Sequence, residues 1–111
     1  MKINVRQSDG VTIIQVKGKV TIGEGDVALR QAVHDVLDSG AKNVLVDLAE
    51  VTTIDSSGVG ELVSSYTTVT NRGGKLKLLN LPAKVSDILQ ITQLITVFEI
   101  FDNEQTAIAT F

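Results

Sequence analysis

The part of the chain best suited to chemistry is Thr53–Gly60, where one acid and two hydroxyls are followed by two glycines. These residues are Asp55, Ser56, Ser57, Gly58 and Gly60. A serine at the start of a helix commonly accepts a hydrogen bond from a free backbone N–H group, so we expect Ser56 or Ser57 to lie at or beside an N-cap. A cap needs only one hydroxyl. The second is therefore available as a modified or ligand-facing group, and Gly58 would allow close approach to the backbone.

A helix is predicted directly after these serines. Apolar residues recur there with the i, i+3, i+4, i+7 spacing of a helix that buries one face. They are Val59, Leu62, Val63, Tyr66 and Val69. The pair Gly73-Gly74 is a stop signal for this helix. The two hydroxyls are therefore expected at a helix N-terminus, where free N–H groups and the macrodipole favour an anion.

The spacing of the same residues does not favour an enzyme. A nucleophile elbow requires a glycine two residues before the serine, but Ile54 and Asp55 occupy those positions. The only histidine, His34, is expected on the solvated face of another helix, where it could not complete a Ser-His-Asp triad. Gly58-Val59-Gly60 lacks the third glycine of a dinucleotide fingerprint, and no P-loop motif is present. We predict that the chain is not an enzyme.

Metal and cofactor sites are not indicated either. The chain has no cysteine, which excludes disulfides and thiolate ligands. Three carboxylates could be considered as ligands of a hard cation, but their positions lack the spacing of a known metal loop. They are Asp47, Asp55 and Glu61, and we interpret them as solvated or capping carboxylates. We predict no metal and no cofactor.

The composition indicates one domain spanning residues 1–111, with 43% hydrophobic and 21% charged residues. A net charge of −3 without a basic run argues against direct nucleic-acid binding. No apolar run approaches the roughly 20 residues needed to cross a bilayer, so membrane insertion is not expected. The N-terminus begins with a strand pattern and no signal-peptide core. We predict a cytoplasmic location.

The first elements that would support the site are two β-rich runs, Ile3–Val5 and Val11–Val16, joined across Asp9-Gly10. An Asp-Gly pair between such runs is a strong hairpin signal. Val20–Ile22 could form a short third strand after a glycine. A helix with an apolar stripe follows and is expected to end at Ser39-Gly40.

The run Val44–Leu48 is continuously apolar, as in a central parallel strand covered on both faces. Ala49–Gly58 would then be a loop at the carboxyl end of this strand. Ligand-facing residues gather in such loops in α/β sheets. The expected loop position therefore suits a functional site as well as a cap.

The second half of the chain continues the alternation of strands and helices. We predict strands over Leu76–Asn80 and Val97–Phe101, a helix starting at Pro82, and a short terminal helix with Asp102 and Gln105 as a capping box. Alternating elements imply parallel crossovers. The predicted fold class is therefore α/β, a mixed β-sheet with an antiparallel N-terminal hairpin and about four helices.

This order of elements, the Val44–Leu48 strand and the motif Ile54–Gly60 before a helix resemble the STAS domain of bacterial anti-sigma factor antagonists. The resemblance covers nearly the whole chain. It implies a STAS-like fold and a small regulator that binds an anti-sigma factor, itself a GHKL-type serine kinase, and so frees a sigma factor. It also implies that a phosphatase reverses the kinase's action. An alternative within the same fold is a STAS-type docking subunit of a sensory scaffold or a lipid transporter complex.

The resemblance also assigns roles to single residues. The phosphorylated serine of the family is the one directly after the aspartate, which is Ser56. Asp55 matches the acid and Ser57 the neighbouring hydroxyl, and with Gly58 and Gly60 they would form the switch and partner-binding loop. Many relatives carry a Gly-x-hydrophobic-Asp turn after the second strand, whereas this chain has no aspartate at that position.

Overall fold

The five strands of the sheet lie side by side in the same order as along the chain. The computed structural model describes all residues, Met1–Phe111. The first two strands are antiparallel, and each later strand is parallel to the one before it. The strands are β1 (Lys2–Ser8), β2 (Val11–Val20), β3 (Asn43–Ile54), β4 (Lys75–Leu79) and β5 (Ile100–Phe101). The predicted mixed sheet with an N-terminal antiparallel pair is confirmed.

Four helices connect and cover the strands. They are α1 (Gly25–Asp38), α2 (Ser56–Asn71), α3 (Ala83–Ile91) and α4 (Glu104–Ala109). The main core lies between the sheet and the first three helices, and it contains buried residues of each of them. A smaller core on the opposite face lies under α4, where Ala107 packs on Ile13, Leu45 and Leu79. Three helices therefore cover one face of the sheet and one short helix covers part of the other.

The N-terminal hairpin turns at Asp9 and Gly10, which have φ angles of 52° and 80°. Two consecutive residues with positive φ are the mark of a type I′ turn, whose twist matches that of the flanking strands. The register pairs Ile3 with Val16 and Val5 with Ile14. The predicted hairpin is therefore confirmed with its turn residues.

The central strand is also confirmed. β3 pairs with β2 on one side and with β4 on the other, and its apolar residues Val44, Leu45, Val46 and Leu48 are fully buried. Val44 and Val46 belong to the main core, whereas Leu45 belongs to the core under α4. Burial from both sides explains the continuous apolar run.

The predicted third strand at Val20–Ile22 is wrong. β2 continues through Gly18 to Val20, because Gly18 has a φ of 104° and lies at a shift of register that the strand accommodates. The chain leaves the sheet at Thr21, and the side chain of Ile22 is 74% exposed. Val20 is therefore a core residue, whereas Ile22 lies on the surface.

The predicted loop Ala49–Gly58 is wrong for a related reason. Because β2 extends to Val20, β3 has a partner for its second half and continues to Ile54, which pairs with Val20. Only Asp55 separates β3 from α2. The site therefore lies at a direct junction between a strand and a helix.

Two details of the C-terminal region also differ from prediction. Val97 lies in a 3₁₀ turn, Leu94–Val97, so β5 contains only Ile100 and Phe101. Asn103, rather than Asp102, caps α4, because its side-chain oxygen accepts the N–H of Thr106 at 2.9 Å. Val97 and Phe98 of the expected strand instead pack on the main core outside the sheet.

Candidate functional site

The N-terminus of α2 is capped by Asp55 and not by a serine. The Asp55 backbone is extended, and its Oδ1 accepts the N–H of Gly58 at 2.9 Å. Ser56 and Ser57 are the first two residues of the helix itself. The prediction that a serine lies at or beside the N-cap is therefore confirmed in its second form: Ser56 lies beside the cap, and the capping group is Asp55, one of the carboxylates interpreted as solvated or capping.

Asp55 also joins the helix to a distant loop. Its Oδ2 accepts the N–H of Ile22 at 3.0 Å, while its own N–H donates to the carbonyl of Val20 at 3.4 Å. The N–H groups of Gly58 and then of Ile22 hold the pKa of the Asp55 carboxyl below its usual value. The carboxylate is therefore ionised at neutral pH and fastens the start of α2 to the segment Thr21–Glu24, here called the β2–α1 loop.

The two serines differ in accessibility. Ser56 is exposed at the first position of α2, whereas Ser57 is half-buried at the second. Because Asp55 caps the helix, the fold does not need the Ser56 hydroxyl. An enzyme can reach this hydroxyl, and a group added to it would project into solvent at the positive end of the helix.

The two glycines of the motif have different functions. A Cβ atom on Gly58 would lie 2.1 Å from the carbonyl oxygen of Val20 and 2.7 Å from Cγ1 of Ile54. Gly58 is therefore required for packing within the protein, and the space above it is not available to a ligand. A Cβ on Gly60 would meet nothing within 4 Å, and Gly60 is exposed.

The start of α1 lies against the same end of β2. A Cβ on Gly25 would be 2.1 Å from the carbonyl oxygen of Lys19. Asp26 then fixes the chain on both sides, because its Oδ1 accepts the N–H groups of Gly23 at 2.9 Å and Val27 at 2.8 Å. The starts of α1 and α2 therefore both pack against the end of β2.

The interpretation of Asp47, Asp55 and Glu61 as solvated or capping carboxylates is wrong for Glu61. Its side chain is buried, and Oε1 accepts the Nε–H of Arg30 from α1 at 2.6 Å. Asp47 is half-buried and accepts the N–H of Ala49 at 3.1 Å. His34 is half-buried on α1, and no three potential metal ligands come together anywhere in the chain.

The surface around Ser56 is not a small-molecule cleft. Five cavities of the surface are distributed over the molecule, and none of them is lined by a residue of 55–60. Small ligands bind in concave sites that bury most of their surface. The arrangement at Ser56 is therefore better suited to contact with a protein surface. No helix of the chain combines the length and the apolar character that a membrane span requires.

Comparison with known sequences identifies a family over most of the chain. The family model of the STAS domain matches residues 2–107. The anti-sigma-B factor antagonist of Bacillus subtilis is 27% identical over 100 residues, which are 90% of this chain and 90% of that protein.

Solved structures show the same fold. The crystal structure of a candidate anti-sigma factor antagonist from Thermotoga maritima superposes with a TM-score of 0.88 at 25% identity, covering 97% of this chain and 92% of the other. The Bacillus cell fate determinant SpoIIAA, solved in its phosphorylated form, superposes with a TM-score of 0.75 at 18% identity, with 98% of each chain covered.

Proposed function

This chain belongs to the STAS domain family, and we propose that it is an anti-sigma factor antagonist that is switched by phosphorylation of Ser56. In its unmodified form it binds an anti-sigma factor and so releases a sigma factor. The observation that carries the proposal is the exposure of Ser56 at the first position of α2, while Asp55 caps the helix. The chain acts as a binding regulator and not as a catalyst.

The partner in this proposal is a GHKL-type serine kinase, and a phosphatase restores the binding form. Both reactions take place in the cytoplasm. The kinase transfers the γ-phosphoryl group of ATP to Oγ of Ser56; the bond from the γ-phosphorus to ADP breaks, the hydroxyl proton is released, and ADP leaves. A surface rather than a cleft around Ser56 is consistent with a substrate that is presented to another protein.

The fold is expected to tolerate the phosphate. The group adds a charge of about −1.5 to −2 at a helix N-terminus, where the macrodipole favours an anion. Ser56 is exposed, so no core contact has to move. The capping bond between Asp55 and Gly58 does not involve the modified oxygen.

Partner binding is expected to be lost for an electrostatic reason. The phosphate is attached to the residue next to Asp55, whose low pKa keeps a negative charge there at neutral pH. A partner that matches a neutral hydroxyl would have to desolvate both charges without compensation. The added charge of the phosphate is therefore expected to weaken binding.

Titration calorimetry with the purified anti-sigma factor tests this switch. We expect Ser56→Ala to bind like the wild type and to resist inactivation by the kinase and ATP. Ser56→Asp should weaken binding at least about tenfold, which corresponds to about 1.4 kcal/mol. Ser64→Asp is the matched control, since Ser64 is also exposed on α2 but lies two turns further along the helix.

Three results would contradict the proposal. Equal affinity of wild type and Ser56→Asp, with both proteins folded, would remove the charge switch. Phosphate found by mass spectrometry only on Ser57 would show that the modified residue is this half-buried neighbour and not Ser56. Capture of subunits of a sensory scaffold or a lipid transporter, with no affinity for an anti-sigma factor, would favour the docking-subunit alternative.

A further inference from the structure

Large apolar side chains that are well exposed are few, and half of them lie next to the site. Four large apolar residues are well exposed: Val5, Ile22, Val27 and Ile91. Two of these, Ile22 at 74% and Val27 at 50%, lie in the β2–α1 loop and the first turn of α1. We call this pair the Ile22 patch. The other two belong to β1 and to the end of α3.

The backbone that carries the patch is fixed by hydrogen bonds. The N–H of Ile22 donates to Asp55, and the N–H groups of Gly23 and Val27 donate to Asp26. The N–H of Asp26 donates to the carbonyl of Thr21 at 3.2 Å. The loop therefore holds Ile22 in a fixed position in water, although nothing in the chain covers the side chain. A loop whose backbone is already fixed loses little backbone conformational entropy when it binds.

The patch is continuous with Ser56 through Asp55. A specific protein interface buries about 800 Å² on each partner, far more than one serine can provide. A partner that contacts Ser56 must therefore cover neighbouring residues, and Ile22 is one hydrogen bond away from the residue before Ser56. Two polar residues near it in the chain or through Asp55 are also exposed, Glu24 two residues after Ile22 and Ser56 directly after Asp55. An apolar centre with a polar rim is the usual anatomy of such an interface.

We infer that Ile22, supported by Val27, is the apolar anchor by which this chain binds its anti-sigma factor, and that Ile22 enters an apolar pocket of that protein. The inference rests on the proposed function, because the occupant is the same partner that contacts Ser56. It adds a specific source of affinity to a site whose other residues are mainly polar. Binding energy in interfaces is concentrated in a few such anchors.

The test measures the affinity of the full chain for the purified anti-sigma factor. We expect Ile22→Ala to weaken binding at least about tenfold and Ile22→Asp to weaken it further, because a charge would enter an apolar pocket. Ile91→Ala is the matched control, since Ile91 is 81% exposed on α3, and its affinity should stay within about twofold of the wild type. Both Ile22 variants should fold normally, which circular dichroism and thermal unfolding verify.

The outcomes separate this inference from the proposed function. If Ile22→Ala binds within about twofold of the wild type while Ser56→Asp binds weakly, the anchor is overturned and the phosphorylation switch stands. If the wild type does not bind the anti-sigma factor at all, both fail. If sedimentation shows a wild-type dimer that Ile22→Ala converts to a monomer, a second copy occupies the patch and the inference is again overturned.

Discussion

At the scale of single residues, Asp55 connects two parts of the site that are far apart in sequence. One carboxylate oxygen binds Gly58 in its own helix, and the other binds Ile22 in the β2–α1 loop. Both hydrogen bonds reach their full strength only when the Asp55 carboxylate is ionised. Ionisation of Asp55 therefore strengthens the contact between the start of α2 and the β2–α1 loop.

This dependence predicts how stability changes with pH. The pKa of Asp55 is lowered from its usual value by N–H groups of the folded state. The contribution of Asp55 to the free energy of unfolding is therefore fully present above the pKa that this carboxyl has in the unfolded chain. It is lost as the pH falls through the lower pKa that the carboxyl has in the folded protein. Asp55→Asn keeps a capping oxygen but has no charge to lose. We expect the stability gap between wild type and Asp55→Asn to narrow as the pH is lowered from about 6 towards about 3. Urea unfolding at each pH measures this gap, and a constant gap would contradict the prediction.

A second prediction distinguishes the cap from its neighbour. Ser57→Ala should change the free energy of unfolding by less than about 0.5 kcal/mol, because Ser57 is not the cap and alanine is favourable in a helix. Asp55→Ala should cost clearly more, because it removes two hydrogen bonds to backbone N–H groups. Urea denaturation of the two variants compares them directly. A larger loss for Ser57→Ala would mean that the serine caps the helix after all.

At the scale of elements, α2 can lie close to β2 only because Gly58 has no side chain. Gly58→Ala should destabilise the protein by about 2 kcal/mol or more, because the new methyl group meets the backbone of Val20. Gly60→Ala is the control two residues later in the same helix. It should be stabilising by about 0.5 to 1 kcal/mol, because the space is open and alanine favours a helix. Thermal unfolding of the two variants should therefore give shifts of opposite sign, and shifts of the same sign would refute the packing argument.

An element of the fold could be predicted from the sequence where local signals determine it. The Asp9-Gly10 turn, the apolar run Val44–Leu48 and the helical spacing after Val59 each correspond to an observed element. The continuation of β3 to Ile54 could not be predicted, because its second half has no clear apolar alternation and depends on pairing with β2. The bond from Asp55 to Ile22 was missed because it joins residues 33 positions apart.

The burial of Glu61 was missed for the same reason. Its partner, Arg30, belongs to another helix, and the charge of Glu61 alone indicates a solvated position. A signal was nevertheless present, since Glu61 adjoins Leu62, at the edge of the apolar stripe of α2. A charged residue at the edge of a buried stripe is a candidate for an ion pair between helices.

At the scale of the whole molecule, one short helix covers the second face of the sheet, and a buried lysine holds it there. Lys77 in the middle of β4 is 3% exposed. Its Nζ donates to the carbonyl oxygen of Thr110 at 3.0 Å and to Oγ1 of the same residue at 2.8 Å, and it pairs with Glu99 at 3.2 Å. The centroid of the Phe111 ring lies 4.7 Å from Nζ of Lys77. The end of the chain is thus fastened to the sheet by polar contacts at a buried site.

Thr110→Val tests the strength of this attachment. It leaves a buried ammonium group short of one acceptor, so we expect the free energy of unfolding to fall by about 1 to 3 kcal/mol. Thr92→Val is the matched control, because Thr92 is the C-terminal cap of α3 and also donates to a helix carbonyl, but it binds no charge. Its cost should be below about 1 kcal/mol. If guanidinium unfolding gives the same loss of unfolding free energy for both variants, the contact with Lys77 adds nothing to stability.

The order of the strands has a consequence for how the protein forms. Because each strand pairs with the strand that precedes it in the chain, its neighbour has already been synthesised when it leaves the ribosome. No strand has to insert between two others, and the loops to be closed are only as long as one connecting helix. Folding can therefore proceed from the N-terminal hairpin by adding one strand at a time to a single growing edge, with β5 and its lysine-bound helix completing the protein last.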